Sequence, residues 1–279
     1  MNSRSLLLID ADPTVHEYLA GLLKRNDREI QDAYDGPDAL QRLRASPFDV
    51  VLAGQGKHGF DGLKWLRRVR AIRPDTKVIL TGDADPLRVV QAIRLHAFSY
   101  FHRPFSGSQL ADMVQLALDC EACKDDIRVI SARPDWITLD LRCKLSAAER
   151  TTHFLREVSA DLPGQVCEDV ASAYRELLMN AIEYGGKSDP RKRVRTTLLR
   201  TQRSVIVYIH DPGRGFSLDF LPHAAISNPD DSPIHHVEVR AEAGKRPGGF
   251  GILMTRHLVD ELLYNERGNA VLFVKYLVS

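Results

Sequence analysis

With 279 residues, 44% hydrophobic and 27% charged, the chain has the balance of a globular protein with room for two ordinary domains. A formal net charge of +1 and no evident helix-turn-helix give no reason to expect nucleic acid as a partner. No run of about 18 apolar residues occurs, so no membrane span is expected. The opening Met1-Asn-Ser-Arg-Ser enters Leu6-Leu-Leu-Ile-Asp10 too directly for a secretory leader, so a cytoplasmic location is expected.

Residues 4 to 105 alternate short apolar runs with amphipathic stretches. Strands are predicted over Leu6–Ile9, Ile30–Tyr34, Asp49–Ala53, Lys77–Thr81 and Ser99–Phe101. Helices are predicted over Pro13–Lys24, Pro37–Ala45, Gly62–Ile72, Leu87–Leu95 and Ser108–Ala122. Such alternation implies a doubly wound parallel five-stranded sheet with helices on both faces. Functional groups in that architecture gather at the carboxyl ends of the strands, here Asp10, Gly54, Thr81 and Arg103.

These residues resemble a response-regulator receiver domain over about Ser5 to Lys124. Asp10 and Asp12 match its acidic start, Asp61-Gly62 the turn after the third strand, and Thr81 the switch hydroxyl. Tyr100 matches the switch aromatic and Arg103-Pro104-Phe105 the Lys-Pro-Phe ending. The departures carry more weight. Gly54 stands where the family has its phosphoacceptor aspartate, Ala11 where a metal-ligating acid belongs, and Arg103 replaces the lysine. Aspartyl phosphorylation needs a nucleophilic carboxylate and a carboxylate-bound Mg2+. Glycine and alanine supply neither, so the first half reads as a pseudo-receiver. Asp61 and Asp83 remain as substitute acids, with surface turn acids the simpler reading.

The charged passage Cys123-Lys-Asp-Asp-Ile127 is the boundary candidate, dividing the chain into 1–124 and 125–279. Cys120 and Cys123 form one C-x-x-C pair without the further two ligands zinc normally needs, so two ordinary helix cysteines are expected; all four cysteines fit a reducing compartment. Beyond the boundary, Ile127–Ala132 and Trp136–Cys143 read as strands. Ser146 with Glu149 three residues on is a capping-box signal for the next helix. There His153 reads as an ordinary helix-surface residue. A long helix follows from about Gln165. Arg193–Arg200 with Ser204–His210, and Glu261–Asn265 with Ala270–Val278, read as paired strands. The second half is therefore expected to be an α/β sandwich with a largely antiparallel sheet.

Three stretches of this half carry chemistry. Glu176, Asn180 and Glu183, at i, i+4 and i+7, share one helix face. Asp211 closes a strand, and Gly213 and Gly215 after it permit close backbone approach to a ligand. Gly248, Gly249 and Gly251 precede an apolar helical stretch, Ile252 to Leu263, whose N-terminal amides favour a phosphate. Gly185-Gly186 reads as a helix C-cap. Residues 217 to 247 lack periodicity, and loops of that length are usually functional or disordered. Lys245 and Arg246 there either reach phosphates or stay solvated.

In order and spacing these stretches resemble the N, G1 and G2 boxes of the GHKL ATPases, and most of all the compact anti-sigma-factor serine kinases. The resemblance runs from about Ile127 to Ser279 and implies ATP and Mg2+ as cofactors. It implies that Asp211 binds the adenine amino group, Asn180 holds Mg2+, Glu176 is the general base, and Gly249 and Gly251 offer amides to the phosphates. The aperiodic stretch becomes an ATP lid. The implied activity is serine/threonine kinase action on an anti-sigma-factor antagonist, governed by the receiver-like domain, with a homodimer expected. Two alternatives stay open: a nucleotide-gated module that sequesters a sigma factor or antagonist without transfer, and an ATP-dependent switch in a two-component pathway.

Overall fold

The computed structural model describes residues 3–54, 60–120, 126–216 and 250–277. The chain forms two compact units, residues 1–125 with 153–161, and residues 126–152 with 162–279.

In the first unit five parallel strands, β1 (Arg4–Ile9), β2 (Arg28–Ala33), β3 (Val50–Gly54), β4 (Lys77–Gly82) and β5 (Ser99–His102), lie in the order β2-β1-β3-β4-β5. The helices between them are α1 (Pro13–Leu23), α2 (Gly36–Ala45), α3 (Gly62–Ile72) and α4 (Pro86–Arg94), and α5 (Gly107–Asp119) follows β5. Alternate strand residues explain the layers. Leu6, Leu8, Val50, Leu52 and Ile79 pack with Leu19 and Leu23 of α1 and Leu110, Met113 and Val114 of α5. Leu7, Val51 and Val78 are equally buried, so the central strands are covered on both sides and read as unbroken apolar runs. Asp12, Asp35, Asp61 and Asp85 each cap the following helix by accepting a backbone N–H. Cys120 lies beyond the end of α5 and is disulfide-bonded, rather than an ordinary cysteine on a helix.

The second unit has a six-stranded antiparallel sheet. Its strands are β6 (Ile127–Arg133), β7 (Trp136–Arg142), β8 (Arg193–Arg200), β9 (Ser204–His210), β10 (Glu261–Tyr264) and β11 (Ala270–Tyr276), in the order β10-β11-β9-β8-β7-β6. Helix α7 (Gly164–Asn180) buries Val170, Ala171, Tyr174, Leu177 and Leu178, and continues into a π-helical turn, Ala181–Gly185. Helix α8 (Gly251–Leu258) stops before the expected Leu263, because residues 261–264 pair with β11 instead.

Helix α6 (Leu145–Val158) starts one residue before Ser146, so that serine sits inside the first turn and the capping-box reading fails. His153 is not a surface residue. Its Nε2–H donates to Tyr100 O at 2.8 Å, and its ring centroid lies 4.1 Å from that of Phe101. Beside it the buried Glu157 accepts from His102 N and Nδ1, both at 2.8 Å.

Burial holds the His153 pKa down to about 4 and pushes that of Glu157 up, the latter opposed by the His102 hydrogen bonds. The unfolded chain protonates His153 near 6.5, so its contribution to stability is complete above that pH and is lost as pH falls toward about 4. Glu157 acts in the opposite sense, its contribution being present below the ordinary carboxyl value and lost as pH rises through the raised one. Glu157→Gln should therefore steepen the acid loss, and His153→Gln should remove a contribution on the order of 2–3 kcal/mol between neutral pH and about pH 4. Urea unfolding read from Trp65 in a Trp136→Phe background checks this. A His153→Gln profile parallel to the parent's would refute it.

Candidate functional site

The α7 helix that buries Leu177 and Leu178 turns Glu176 and Asn180 outward, one helical turn apart. Both line a cavity of about 970 Å3 in the second unit. The start of α8 adjoins them on the same wall, and the contact is close. A methyl group added at Gly251 would come 2.7 Å from Glu176 Oε2 and 3.7 Å from Asn180 Nδ2. The N-cap residue of α8, Phe250, makes no side-chain cap hydrogen bond to the first turn.

At the other side of the cavity stands Asp211, directly after β9. Its Oδ1 accepts from Gly213 N at 2.7 Å. Burial pushes its pKa up, against that hydrogen bond and the nearby His210 and Arg267. A methyl at Gly185 would lie 2.2 Å from Asp211 Oδ1, and one at Gly213 2.7 Å from it. Gly185 is thus required for space, while Gly186 is the C-cap of the turn with an ordinary negative φ; positive φ falls on Lys187 and Ser188. Gly215, with φ 84°, does use the region that favours glycine. Glu183 also lines the cavity, but from the π-helical turn, whose wider winding breaks the simple i+7 relation to Glu176.

Four cavity residues carry no functional signal in the sequence. Asn269 accepts through its backbone O from Asp211 N at 2.9 Å, and its side chain lies 3.2 Å from His210 Nε2. Tyr264 stacks edge-on with Phe216, and burial raises its hydroxyl pKa. Arg175 and Glu149 form an ion pair on the wall beside Glu176. Gly249, Lys245 and Arg246, with the rest of the stretch read as a lid, lie outside the described residues.

In the first unit the carboxyl ends of the strands also converge on charge. Buried Asp10 accepts from Arg103 Nη2 and, at 3.0 Å, from Asp12 N. Arg103 also reaches Thr81 Oγ1, through Nε at 3.2 Å and Nη2 at 2.9 Å. Asp12 itself caps α1 through Thr14 N and Oγ1. Asp61 caps α3, as a turn acid would. Tyr100 is buried, donates to Asp83 O at 2.8 Å, and has its pKa pushed up to about 12 by burial. A methyl at Gly54 would meet Asp10 Oδ2 at 2.0 Å and Arg103 Nη2 at 2.5 Å.

The ion pair therefore fills the space a side chain at position 54 would need. Gly54→Asp should break it and destabilise the first unit by about 1–3 kcal/mol. The measurement is the urea midpoint, and an unchanged midpoint would mean that Asp10 and Arg103 yield freely.

Each half of the chain matches a known family model. Residues 6–115 match the family model of the response regulator receiver domain, and residues 141–275 that of the histidine kinase-like ATPase domain. The chain is 29% identical over 167 residues to the regulatory protein AtoC of Escherichia coli, covering 60% of this chain and 33% of that protein. It is 28% identical over 114 residues to the transcriptional regulatory protein ZraR of Salmonella typhimurium, covering 40% and 26%. It thus spans a third or less of the length of these curated relatives. Among solved structures, the receiver domain of NtrX from Brucella abortus aligns with 42% of the chain and 99% of its own, at 24% identity and a TM-score of 0.39.

Proposed function

We propose that this chain, a response regulator receiver domain joined to a histidine-kinase-like ATPase domain, is an ATP-dependent serine/threonine kinase whose substrate is an anti-sigma-factor antagonist. The observation that carries the reading is the meeting of Glu176, Asn180 and Gly251 on one wall of a cavity whose other side ends in Asp211. An adenine entering beside Gly185 and Gly213 would donate its amino hydrogen to Asp211. Phe216 and Tyr264 supply apolar surface near it. The phosphates would extend toward the start of α8, where helix N-terminal N–H groups favour anions.

The donor set fits Mg2+ carried by the nucleotide. Asn180 offers a hard amide oxygen next to Glu176, and among the described residues no group of three His, Cys, Asp or Glu would hold a metal alone. Such sites keep several waters and few protein ligands. When bound, the ion would neutralise charge on the phosphates. The chain's own work is positioning: Glu176 takes the proton of the attacking hydroxyl, and α8 orients the terminal phosphate.

For the receiver domain we propose regulation by protein contact rather than aspartyl phosphorylation. Position 54 offers no nucleophile, and the acid that would face a metal, Asp10, is committed to Arg103.

Asp211→Asn or Asn180→Ala should remove most Mg-ATP binding. For Asp211 the lost charged hydrogen bond costs about 1.5–3 kcal/mol, and calorimetry with unchanged affinity in both variants would refute the pocket. Glu176→Gln should keep nucleotide affinity and lower phosphotransfer by about 10^2–10^4. A wild type that transfers no phosphate to any antagonist would leave a nucleotide-gated binding module as the reading.

A further inference from the structure

Arg175 and Glu176 are consecutive on α7, where successive side chains diverge by about 100°. Their charged ends nevertheless come close, with Arg175 Nη1 3.8 Å from Glu176 Oε1, just beyond hydrogen-bond reach. The reason lies on another element. Arg175 Nε donates to Glu149 Oε1 at 3.1 Å and Oε2 at 3.2 Å, and Nη2 donates to Oε1 as well. One edge of the guanidinium is thus committed to α6, and only Nη1 is left facing Glu176.

A planar guanidinium engages a carboxylate most strongly edge-on. Glu149 and Glu176 therefore compete for a single cation, and Glu149 holds it. All three side chains line the cavity. The Arg175 pKa is raised, first by the Glu149 hydrogen bonds and then by the charges of Glu149, Glu176 and Glu183. Were Arg175 to close on Glu176, its N–H groups would occupy the lone pairs that must receive a proton and would hold the carboxylate as a weaker base.

We propose that Glu149 is a positioning residue for phosphotransfer, restraining Arg175 so that Glu176 stays available as the base. The inference rests on the reading of Glu176 given above. In the step served, the substrate hydroxyl proton passes to Glu176, its oxygen bonds the terminal phosphorus, and the bond to the ADP oxygen breaks.

The test is a double-variant cycle on the full chain with Mg-ATP. Glu149→Gln should lower kcat about tenfold, a fraction of the loss on deleting a base, with KM for ATP within about twofold. Adding Arg175→Ala to Glu149→Gln should recover most of that loss, because the cation that captured the base is gone. A purely structural Glu149 would give a double variant as impaired as the single or worse, and that result overturns the proposal. A crystal structure of Glu149→Gln should show Arg175 hydrogen-bonded to Glu176. If the wild type turns over no ATP, the kinase reading fails, and the position of Arg175 in that crystal structure decides this inference alone: a guanidinium still apart from Glu176 rejects it.

Discussion

The second unit is keyed by the space around one carboxylate. Asp211 leaves room for nothing larger than hydrogen at Gly185, which ends the π-helical turn, and little more at Gly213. Its backbone N–H is held by Asn269 at the start of β11. Three segments far apart in sequence, the end of α7, the end of β9 and the β10–β11 turn, thereby meet at a single side chain. Loss of solvent raises the proton affinity of that acid, and the Gly213 N–H resists the change. The result is a half-buried acceptor fixed at one side of a cavity whose other side carries Glu176 and Asn180.

Much of this was legible in the sequence, for a physical reason. Strands covered on both faces read as unbroken apolar runs, and a helix with one polar face announces that face by its spacing. The five-strand pattern, the Glu176–Asn180 face and the strand-end Asp211 follow directly. Where the reading failed, the deciding interaction was distant. The helical stretch read from Ile252 to Leu263 overlaps the strand read at Glu261–Asn265, and pairing of residues 261–264 with β11 decides for the strand and ends α8 at Leu258. Ser146 and Glu149 have capping-box spacing, yet Glu149 is engaged by Arg175, 26 residues further on. His153 looks like any helix-surface histidine until Tyr100 and Phe101 bury it. Gly186 is the C-cap the sequence suggests, but what the spacing does not show is that Gly185 and Gly186 also leave room for Asp211 and for Cys143, whose Sγ would lie 2.3 Å from a methyl at Gly186.

The chain places an arginine beside a functional-looking acid twice, with opposite consequences. In the first unit Arg103 enters fully: it contacts Asp10 and Thr81, and Gly54 leaves the room it needs. Cation and anion satisfy one another, and little net field remains to attract a phosphate or a metal ion. In the second unit Arg175 is stopped at 3.8 Å from Glu176 by a second acid. Across that gap the Coulomb attraction weakens only gradually with distance, but the directional hydrogen bonds are absent altogether. An acid in contact with a guanidinium has its lone pairs taken. One kept beyond hydrogen-bond reach retains them. Residue type alone cannot distinguish the two cases, since each is an arginine near an aspartate or glutamate. The distinction is made by the third residue, Gly54 in one pocket and Glu149 in the other, which fixes where the cation stops.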